Sequence, residues 1–346
     1  MDACALARPN TSSGTPVYLQ LVEQVRRHLE MGALRPGDVF PDVLPVAEAL
    51  VVHPASVIRA YGELERLSLA VRCGGALRAS ATTPKSRASY DERARSSAAW
   101  TVLPREIETA RDVQRCLLPQ AYPTVDGLDY VGWSRAARGV TGDYYDFVPL
   151  PDGRLAVTVG DVCGKGVPAA LVMAALRAYL RGATSQCQAD PRALVTMTND
   201  LLYESVPTGR FATLFYGVYD PPSRTLEYVN AGHLPPLLLD SDNGRCRRQR
   251  LETGGVAIGL MPGAQYASGR IRLEPGDRLV AFTDGITEAL SADGEEWGED
   301  RLIALLETCA LSGARGLADA VLAGVEDFAH GTSQYDDMTV AVLRVI

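Results

Sequence analysis

Four short segments of the 346-residue chain place an aspartate in a turn beside a hydrophobic, strand-like run. These segments are residues 142–146, 160–166, 283–285 and 336–339. One Asp-Gly pair at a strand end is typical of an ordinary turn, but four such segments predict that several carboxylates meet at one edge of a sheet. Carboxylates gathered at one point repel one another unless cations neutralise them. Oxygen-only ligands suit hard divalent ions such as Mg²⁺ or Mn²⁺, so we expect these ions rather than zinc.

The spacing of apolar residues predicts an α+β domain after about residue 120. Strand-like runs come in blocks with helical patterns inserted between them, an order that is typical of layered α+β domains. The predicted strands are 128–133, 144–149, 154–159, 211–219, 225–230, 278–283 and 338–345. The predicted helices are 167–181, 191–205, 300–309 and 315–329.

A smaller domain is predicted before it. Three amphipathic helical patterns are followed by two short extended runs around a Gly-Gly pair, which is the plan of a winged helix-turn-helix domain. The stretch that follows is rich in Ser, Ala, Thr and Arg and has no period, as expected of a linker. The predicted parts are a disordered start at 1–14, the winged-helix domain at 15–80, the linker at 81–103, a connecting helix at 104–119 and the large domain at 120–346.

The connecting helix has a short heptad seam. Leu103, Ile107, Ala110, Gln114 and Leu117 recur at spacings of four and three residues. The seam is too short for a stable isolated coiled coil, so it indicates a connecting or dimerising helix. We expect a homodimer formed through the winged helix and the helix at 103–117.

Charge and cysteine usage narrow the function classes. The net charge is −8, and it divides into +2 for residues 1–103 (12 basic, 10 acidic) and −10 for residues 104–346 (22 basic, 32 acidic), so the whole molecule is not a basic nucleic-acid binder. Seven scattered cysteines without a C-x-x-C pair favour neither a disulfide framework nor a cysteine zinc site. The start has no secretory signal pattern, and the longest apolar run, 167–176, is too short to span a bilayer. We therefore expect a cytoplasmic protein without a membrane partner.

Seven motifs of the large domain occur in an order that resembles a known family. They are similar to those of SpoIIE/RsbU-type phosphatases, the bacterial branch of the metal-dependent, type-2C-like (PPM) serine/threonine protein phosphatases, and the resemblance covers about residues 105–346. The motifs are GDYYDF at 142–147, GDVCGKGVPAAL at 160–171, FATLFYGVYD at 211–220, NAGHLPP at 230–236, AIGL at 257–260, GDRLVAFTDGITEA at 276–289 and DDMTVAVLRV at 336–345. The resemblance implies a β-sandwich flanked by helices that holds two Mn²⁺ or Mg²⁺ ions.

The resemblance also implies a set of ligands and catalytic residues. Asp143 would bind the first metal, Asp161 would bridge both metals, and the Val162 carbonyl would complete the first site. Two ions can clamp an in-line displacement at phosphorus and activate a water, so no covalent enzyme intermediate is expected.

The second metal site has one open alternative. Asp284 and Asp336 would hold this ion and complete the catalytic set with Asp143 and Asp161. The adjacent Asp337 could take the place of Asp336.

Four further residues are candidates for binding the phosphate or the substrate, namely Gly164, Lys165, His233 and Arg138. Cys163 stands where the family commonly has serine, so the leaving group would be protonated by water, His233 or Lys165. Alternatively, His233 is a structural turn residue, and Lys165 and Arg138 point to solvent. Thr141, where the family usually has glycine, is a second departure.

The N-terminal segments TPVYLQLVEQVRRHLEMGALRPGDVFP and VVHPASVIRAYGELERLSLAVRCGGALRAS resemble the GntR-type winged helix. The family's DNA-gripping Ser and Arg are replaced by Asp42 and Leu44. An anion repels phosphates and leucine cannot replace an arginine fork, so DNA binding is in doubt. Ser56 and Arg59 remain as candidate DNA contacts. The alternative is a module for dimerisation, partner recognition or control of the phosphatase.

Two functions follow from the resemblances. The first is a phosphatase that acts on phosphoserine or phosphothreonine of a regulatory protein, for which the family implies an anti-sigma-factor antagonist as partner, with the winged helix as regulator. The second is a GntR-like transcription regulator whose C-terminal domain serves as a sensor.

Overall fold

The computed structural model describes residues 7–9, 17–52, 54–73, 76–80, 104–186, 190–207, 209–240, 249–309, 312–332 and 334–346. The chain divides into two compact units, residues 1–102 and 103–346. The predicted linker at 81–103 lies outside the described residues, as does most of the predicted disordered start. Within that start, Ala7 exchanges two hydrogen bonds with the side chain of Gln24.

The N-terminal unit consists of three helices and a hairpin, as the spacing predicts. Its elements are α1 (Val17–Glu30), α2 (Val43–Leu50), α3 (Pro54–Arg66), β1 (Ala70–Cys73) and β2 (Ala76–Ala79). The apolar stripes of the helices meet in one core, in which Val25, Val46, Val57 and Leu64 are almost completely buried. Pro54 begins α3, where its missing N–H costs no helical hydrogen bond.

The C-terminal unit is a sandwich of two sheets. Its strands are β3 (Leu128–Arg135), β4 (Asp143–Pro149), β5 (Leu155–Val162), β6 (Ala212–Asp220), β7 (Thr225–Ala231), β8 (Leu237–Leu239), β9 (Gly254–Gly255), β10 (Gly269–Arg272), β11 (Arg278–Phe282) and β12 (Met338–Val345). The larger sheet has the order β10-β7-β6-β5-β4 with β9 beside β7, and the smaller has the order β3-β12-β11-β8. All neighbours are antiparallel except β7 and β9. The inner faces form a core that includes Phe147, Phe215, Leu279 and Leu343.

Helices cover the outer faces of both sheets. They are α4 (Pro104–Leu117), α5 (Val167–Gln186), α6 (Pro191–Ser205), α7 (Asp284–Thr287), α8 (Gly298–Thr308) and α9 (Ala314–Ala329). Helices α5 and α6 pack on the larger sheet, and α8 and α9 pack on the smaller sheet. The predicted α+β class, a β-sandwich flanked by helices, is therefore confirmed. No helix in the described part of the chain is long and apolar enough to cross a bilayer.

The burial of β5 on both faces explains why hydrophobic and polar residues do not alternate along this strand. Strand β5 lies inside the larger sheet between β4 and β6, with the second sheet on one face and helices on the other. Residues 155–160 are all buried, and a strand buried on both faces reads as a continuous apolar run. This arrangement brings the end of β5, which carries Asp161, into the middle of one edge of the sheet.

Candidate active site

Asp143 and Asp161 face each other across two neighbouring strands. The two residues are directly opposed in the antiparallel pairing of β4 and β5, so their side chains leave the sheet on the same face. Asp143 is 1% exposed, and its Oδ2 accepts a hydrogen bond of 2.7 Å from Thr283 Oγ1. Burial, followed by the charge of Asp337, raises the pKa of Asp143 well above the usual aspartate value. The carboxylate is thus costly to keep charged without a cation.

Asp161 is the point at which the other carboxylates converge. Burial of its carboxylate raises the pKa of Asp161 well above the usual value, and the charges of Asp284, Asp143 and Asp336 raise it further. These interactions bring the four predicted catalytic aspartates into one electrostatic cluster. Each carboxylate in such a cluster opposes the ionisation of its neighbours.

The smaller sheet supplies its two aspartates through a close contact between backbones. Asp284 begins α7 directly after β11, and the N–H of Thr283 donates to the carbonyl of Thr339 at the start of β12. A Cβ at Gly285 would lie 1.9 Å from the Asp337 carbonyl oxygen, so only glycine fits there. The close approach of the backbone at Gly285 to that at Asp337 therefore requires a glycine directly after Asp284.

The adjacent residues Asp336 and Asp337 have different environments. The two carboxylate oxygens of Asp337 accept 2.7 Å hydrogen bonds from the backbone N–H groups of Ala137 and Gly142. By contrast, Asp336 Oδ2 lies 2.7 Å from Lys165 Nζ. Asp337 thus holds the loop before Asp143 in place, and the geometry favours Asp336 over Asp337 as the ligand.

The Val162 carbonyl also lies near this loop. A Cβ at Gly142 would lie 3.2 Å from the Val162 carbonyl oxygen and 3.0 Å from Ala169 Cβ. The missing side chain at Gly142 therefore lets the start of β4 approach the end of β5, where the Val162 carbonyl lies.

The donor set fits hard divalent cations. All the predicted ligands are oxygen atoms, and at least two of the carboxylates have pKa values raised by burial and mutual repulsion. Among the described residues, no three His, Cys, Asp or Glu side chains are arranged to enclose an ion as they stand. The charges of the carboxylates act on one another around Asp161, but the side chains would have to move before they could enclose a cation.

The predicted phosphate-binding residues occupy three different settings. Lys165 Nζ is paired with Asp336, donates to the Tyr335 carbonyl at 2.8 Å and lies 3.8 Å from the centroid of the Tyr335 ring. Gly164, with φ +99°, lies in the turn after β5. Arg138 is exposed in the loop that Asp337 holds. Lys165 is therefore engaged with the metal-ligand candidate Asp336 rather than pointing to open solvent.

His233 lies inside the sandwich. It is 3% exposed, its Nδ1 is 2.8 Å from Thr213 Oγ1, and its backbone N–H donates to the side chain of Asn230. Burial lowers the pKa of His233 to about 4, so the ring is neutral at pH 7. This is the position expected of the structural turn residue, and it does not expose the imidazole to a leaving group.

The buried histidine gives a pH dependence of stability. Because the folded pKa is lower than the unfolded value of about 6.5, the unfolded chain binds a proton that the folded chain excludes between pH 6.5 and 4. We expect His233→Gln to flatten the loss of stability in this window, where one such proton contributes up to about 1.4 kcal/mol per pH unit. Urea midpoints of the metal-free protein at pH 7, 6 and 5 measure the effect. Parallel curves for wild type and His233→Gln would contradict it.

Gln114 is a residue of this site that the sequence analysis did not identify as functional. Its side chain is 7% exposed and makes two hydrogen bonds with the backbone of Thr141, through Nε2 at 2.7 Å and Oε1 at 2.8 Å. Thr141 Oγ1 in turn accepts from the N–H of Asp143 at 2.9 Å. The only sequence signal for this role is that Gln114 is the polar member of the otherwise apolar seam of α4.

The seam of α4 therefore faces its own unit. Gln114 binds Thr141, and Ile107 packs so closely on Gly139 that a Cβ there would lie 2.7 Å from Ile107 Cγ2. Ala110 is exposed, and Leu103 lies outside the described residues. The heptad spacing thus reflects packing on the loop before Asp143, and a dimer through this helix stays a prediction.

Removing the Gln114 side chain should weaken the metal site. Gln114→Ala deletes two hydrogen bonds to a buried loop, each contributing about 1 kcal/mol, so we expect the Mn²⁺ concentration for half-maximal phosphate release to rise roughly tenfold. The exposed Glu108→Gln on the same helix is the control. Equal Mn²⁺ dependence in Gln114→Ala and wild type would show that the contact does not position Asp143.

The candidate DNA contacts of the N-terminal unit are largely engaged within that unit. Arg59 stacks on the Tyr18 ring at 4.2 Å from its centroid, and Ser56 is half-buried. The two arginines of the hairpin are also engaged, since Arg72 pairs with Glu65 and Arg78 donates to the Gly37 carbonyl. Residues 17–80 contain seven arginines and seven carboxylates, so this segment has no net charge with which to attract phosphates.

Comparison with known proteins agrees with this geometry. The family model described as Stage II sporulation protein E (SpoIIE) matches residues 151–346. The chain is 31% identical over 242 residues to phosphoserine phosphatase RsbU of Bacillus subtilis, covering 69% of this chain and 70% of RsbU. It is 34% identical over 266 residues to protein IcfG of Synechocystis, covering 69% of this chain but only 41% of IcfG.

One solved structure and one relative of the N-terminal part are also similar to this chain. The SiaA PP2C domain of Pseudomonas aeruginosa superimposes with a TM-score of 0.62 at 23% identity, covering 75% of this chain and all of that domain, which supports the fold. The HTH-type transcriptional repressor YtrA of Bacillus subtilis is 39% identical over 54 residues, 16% of this chain and 42% of YtrA. The chain therefore belongs to the SpoIIE family of PP2C-type serine/threonine phosphatases, and its N-terminal part is similar to GntR-type helix-turn-helix regulators.

Proposed function

We propose that this chain removes phosphate from phosphoserine or phosphothreonine of a protein, using two Mn²⁺ or Mg²⁺ ions held by Asp143, Asp161, Asp284 and Asp336. The main support for this proposal is that the other three carboxylates lie close enough to Asp161 for their charges to raise its pKa. The similarity to phosphoserine phosphatase RsbU supports the reaction type. The carbonyl of Val162 would complete the ligand set.

The protein's own residues prepare this site in two ways. Thr283 and Thr141 hold Asp143 through its carboxylate and its N–H, and Asp337 fastens the preceding loop. Lys165 restrains Asp336. Divalent cations, when bound, supply charge for the phosphoryl oxygens and lower the pKa of a water that attacks phosphorus. Preorganised ligands reduce the reorganisation needed when this charge develops.

The substrate that the resemblance implies is a phosphorylated anti-sigma-factor antagonist. RsbU is a relative named as a phosphoserine phosphatase, and this similarity supports a phosphoprotein as partner. We further propose that the protein acts in the cytoplasm and that the N-terminal winged helix regulates the reaction. The contact of Gln114 with the loop before Asp143 offers a route by which movement of α4 would reach the site.

The test is metal-dependent phosphate release by the full chain. We expect phosphoserine and phosphothreonine peptides to be hydrolysed with Mn²⁺ or Mg²⁺, and hydrolysis to cease after EDTA treatment and return when the ion is restored. A phosphotyrosine peptide is the comparison substrate. Hydrolysis that is indifferent to EDTA would rule out the metal mechanism.

A second candidate is a DNA-binding regulator, which the similarity to repressor YtrA favours. The neutral charge of residues 17–80 and the stacking of Arg59 on Tyr18 count against it. A gel shift with the DNA upstream of the protein's own coding sequence distinguishes the two functions. If the module docks on DNA as its relatives' names imply, Leu44→Arg should strengthen the shift. If neither the wild type nor Leu44→Arg shifts the DNA, the result counts against the regulator and in favour of the phosphatase.

A further inference from the structure

Arg210 lies beside the turn that follows the metal-ligand candidates Asp161 and Val162. The ladder between β5 and β6 continues past the strands, since the N–H of Cys163 donates to the carbonyl of Phe211 at 2.9 Å. This places Arg210 next to the turn at 163–166, directly after Asp161 and Val162. Arg210 stands directly before the FATLFYGVYD motif and has no signal of its own in the sequence.

The guanidinium of Arg210 rests on this turn. Its Nη1 donates to the Cys163 carbonyl at 3.1 Å, and a Cβ at Gly164 would lie 2.6 Å from the same nitrogen. Gly164 also has φ +99°, which side chains rarely adopt. The glycine therefore gives the guanidinium room to lie across the turn.

Most of the donor capacity of Arg210 is unused within the described part of the chain. An arginine side chain has five N–H donors, and the hydrogen bond to Cys163 is the one contact that the structure shows for this guanidinium. The residue is half-buried, so part of its surface is still accessible to solvent and to a ligand. The neighbouring cation, Lys165, is by contrast paired with Asp336.

We propose that Arg210 binds the phosphate of the substrate through its remaining N–H groups. This inference rests on the proposed phosphatase function and adds a substrate-contacting residue to it. Phosphate carries negative charge on its oxygens, and an arginine fork can bind two of these oxygens at once through parallel charge-assisted hydrogen bonds. The hydrogen bond to the carbonyl of Cys163, two residues after Asp161, fixes one end of the fork on this turn.

Binding of inorganic phosphate to the full chain with saturating Mn²⁺, measured by calorimetry, tests the proposal. We expect Arg210→Gln to weaken phosphate binding about tenfold to a hundredfold, as expected for loss of charge-assisted hydrogen bonds, and Arg210→Lys to weaken it less. Arg224→Gln is the matched control, because Arg224 follows the opposite end of β6 and pairs with Glu274. Unchanged phosphate affinity in Arg210→Gln would overturn the proposal.

Two further measurements separate phosphate binding from support of the turn. The Michaelis constant for a phosphoserine peptide should rise in Arg210→Gln while its Mn²⁺ dependence stays that of the wild type, and guanidinium chloride should partly restore Arg210→Ala. A shift in Mn²⁺ dependence with an unchanged Michaelis constant would show a structural role and contradict the proposal. If the wild type binds phosphate but hydrolyses no peptide, the proposed function fails while the role of Arg210 is still decided by calorimetry.

Discussion

Replacing Asp161 with asparagine should reduce metal-dependent phosphate release by about a hundredfold to a thousandfold, the loss expected when one preorganised electrostatic element is removed. Asp161 faces Asp143 across β4 and β5, and the charges of Asp284, Asp143 and Asp336 act on it. An amide keeps the shape of the side chain but cannot supply the negative charge that a bridging ligand needs. Initial rates on a phosphoserine peptide with Mn²⁺ measure the effect.

The same substitution should stabilise the metal-free protein. The folded pKa of Asp161 is raised well above 3.8, so the unfolded chain releases this proton more readily, and folding stability falls as pH rises from about 3.8 to the raised value. Asp161→Asn removes this cost at pH 7, and Mn²⁺ should then raise the melting temperature of the wild type but not of the variant. The control is Asp152→Asn in the exposed turn between β4 and β5. Wild-type activity in Asp161→Asn, or equal Mn²⁺ stabilisation of both proteins, would contradict the role given to Asp161.

Replacing Arg181 with methionine should cost about 1–3 kcal/mol of folding free energy, because the completely buried carboxylate of Asp146 would lose the two charge-assisted hydrogen bonds of this partly exposed guanidinium. Asp146 is completely buried, and Arg181 binds both its carboxylate oxygens, from Nε at 2.7 Å and Nη2 at 2.9 Å. Without Arg181, the Asp146 carboxylate keeps only the Tyr144 hydroxyl and the Phe147 N–H as the hydrogen-bond donors that the structure shows. Urea midpoints of wild type and Arg181→Met measure the cost.

A double substitution identifies the cause. If the buried, unpaired charge is responsible, adding Asp146→Asn to Arg181→Met should recover part of the lost stability. The exposed pair Arg272–Glu274 provides the control, since Arg272→Met should change stability by at most about 1 kcal/mol. Equal losses in Arg181→Met and Arg272→Met would refute the expected importance of Arg181 for the buried carboxylate of Asp146.

The main strands and the convergence of the aspartates could be predicted because both depend on local pattern. Hydrophobic runs of five to eight residues, such as that of β5, can be recognised as strands from the sequence alone. Each of the four aspartates follows or precedes such a run. The two short strands β9 and β10 were missed because two to four residues carry no period, and β8 because Leu237–Leu239 is an uninterrupted three-residue run. Asp284 was predicted in a turn, and it instead begins the short helix α7.

The parts of the site that the sequence did not reveal depend on contacts between distant residues. Gln114 is separated from Thr141 by 27 positions and Arg210 from Cys163 by 47, and no local pattern links either pair. The difference between Asp336 and Asp337 also arises only in three dimensions, because Asp337 meets the N–H groups of a loop 195–200 residues earlier. The contact of the polar member of the α4 seam with the unit's own loop likewise depends on three-dimensional packing.

Calorimetric titration of Mn²⁺ into the metal-stripped full chain tests most directly whether the converging carboxylates form a metal centre. We expect the wild type to bind two ions, and Asp161→Asn, which removes the carboxylate common to both sites, to lose this binding, while Asp152→Asn binds as the wild type does. Absence of Mn²⁺ binding to the wild type, or unchanged binding in Asp161→Asn, would contradict the assignment of these aspartates.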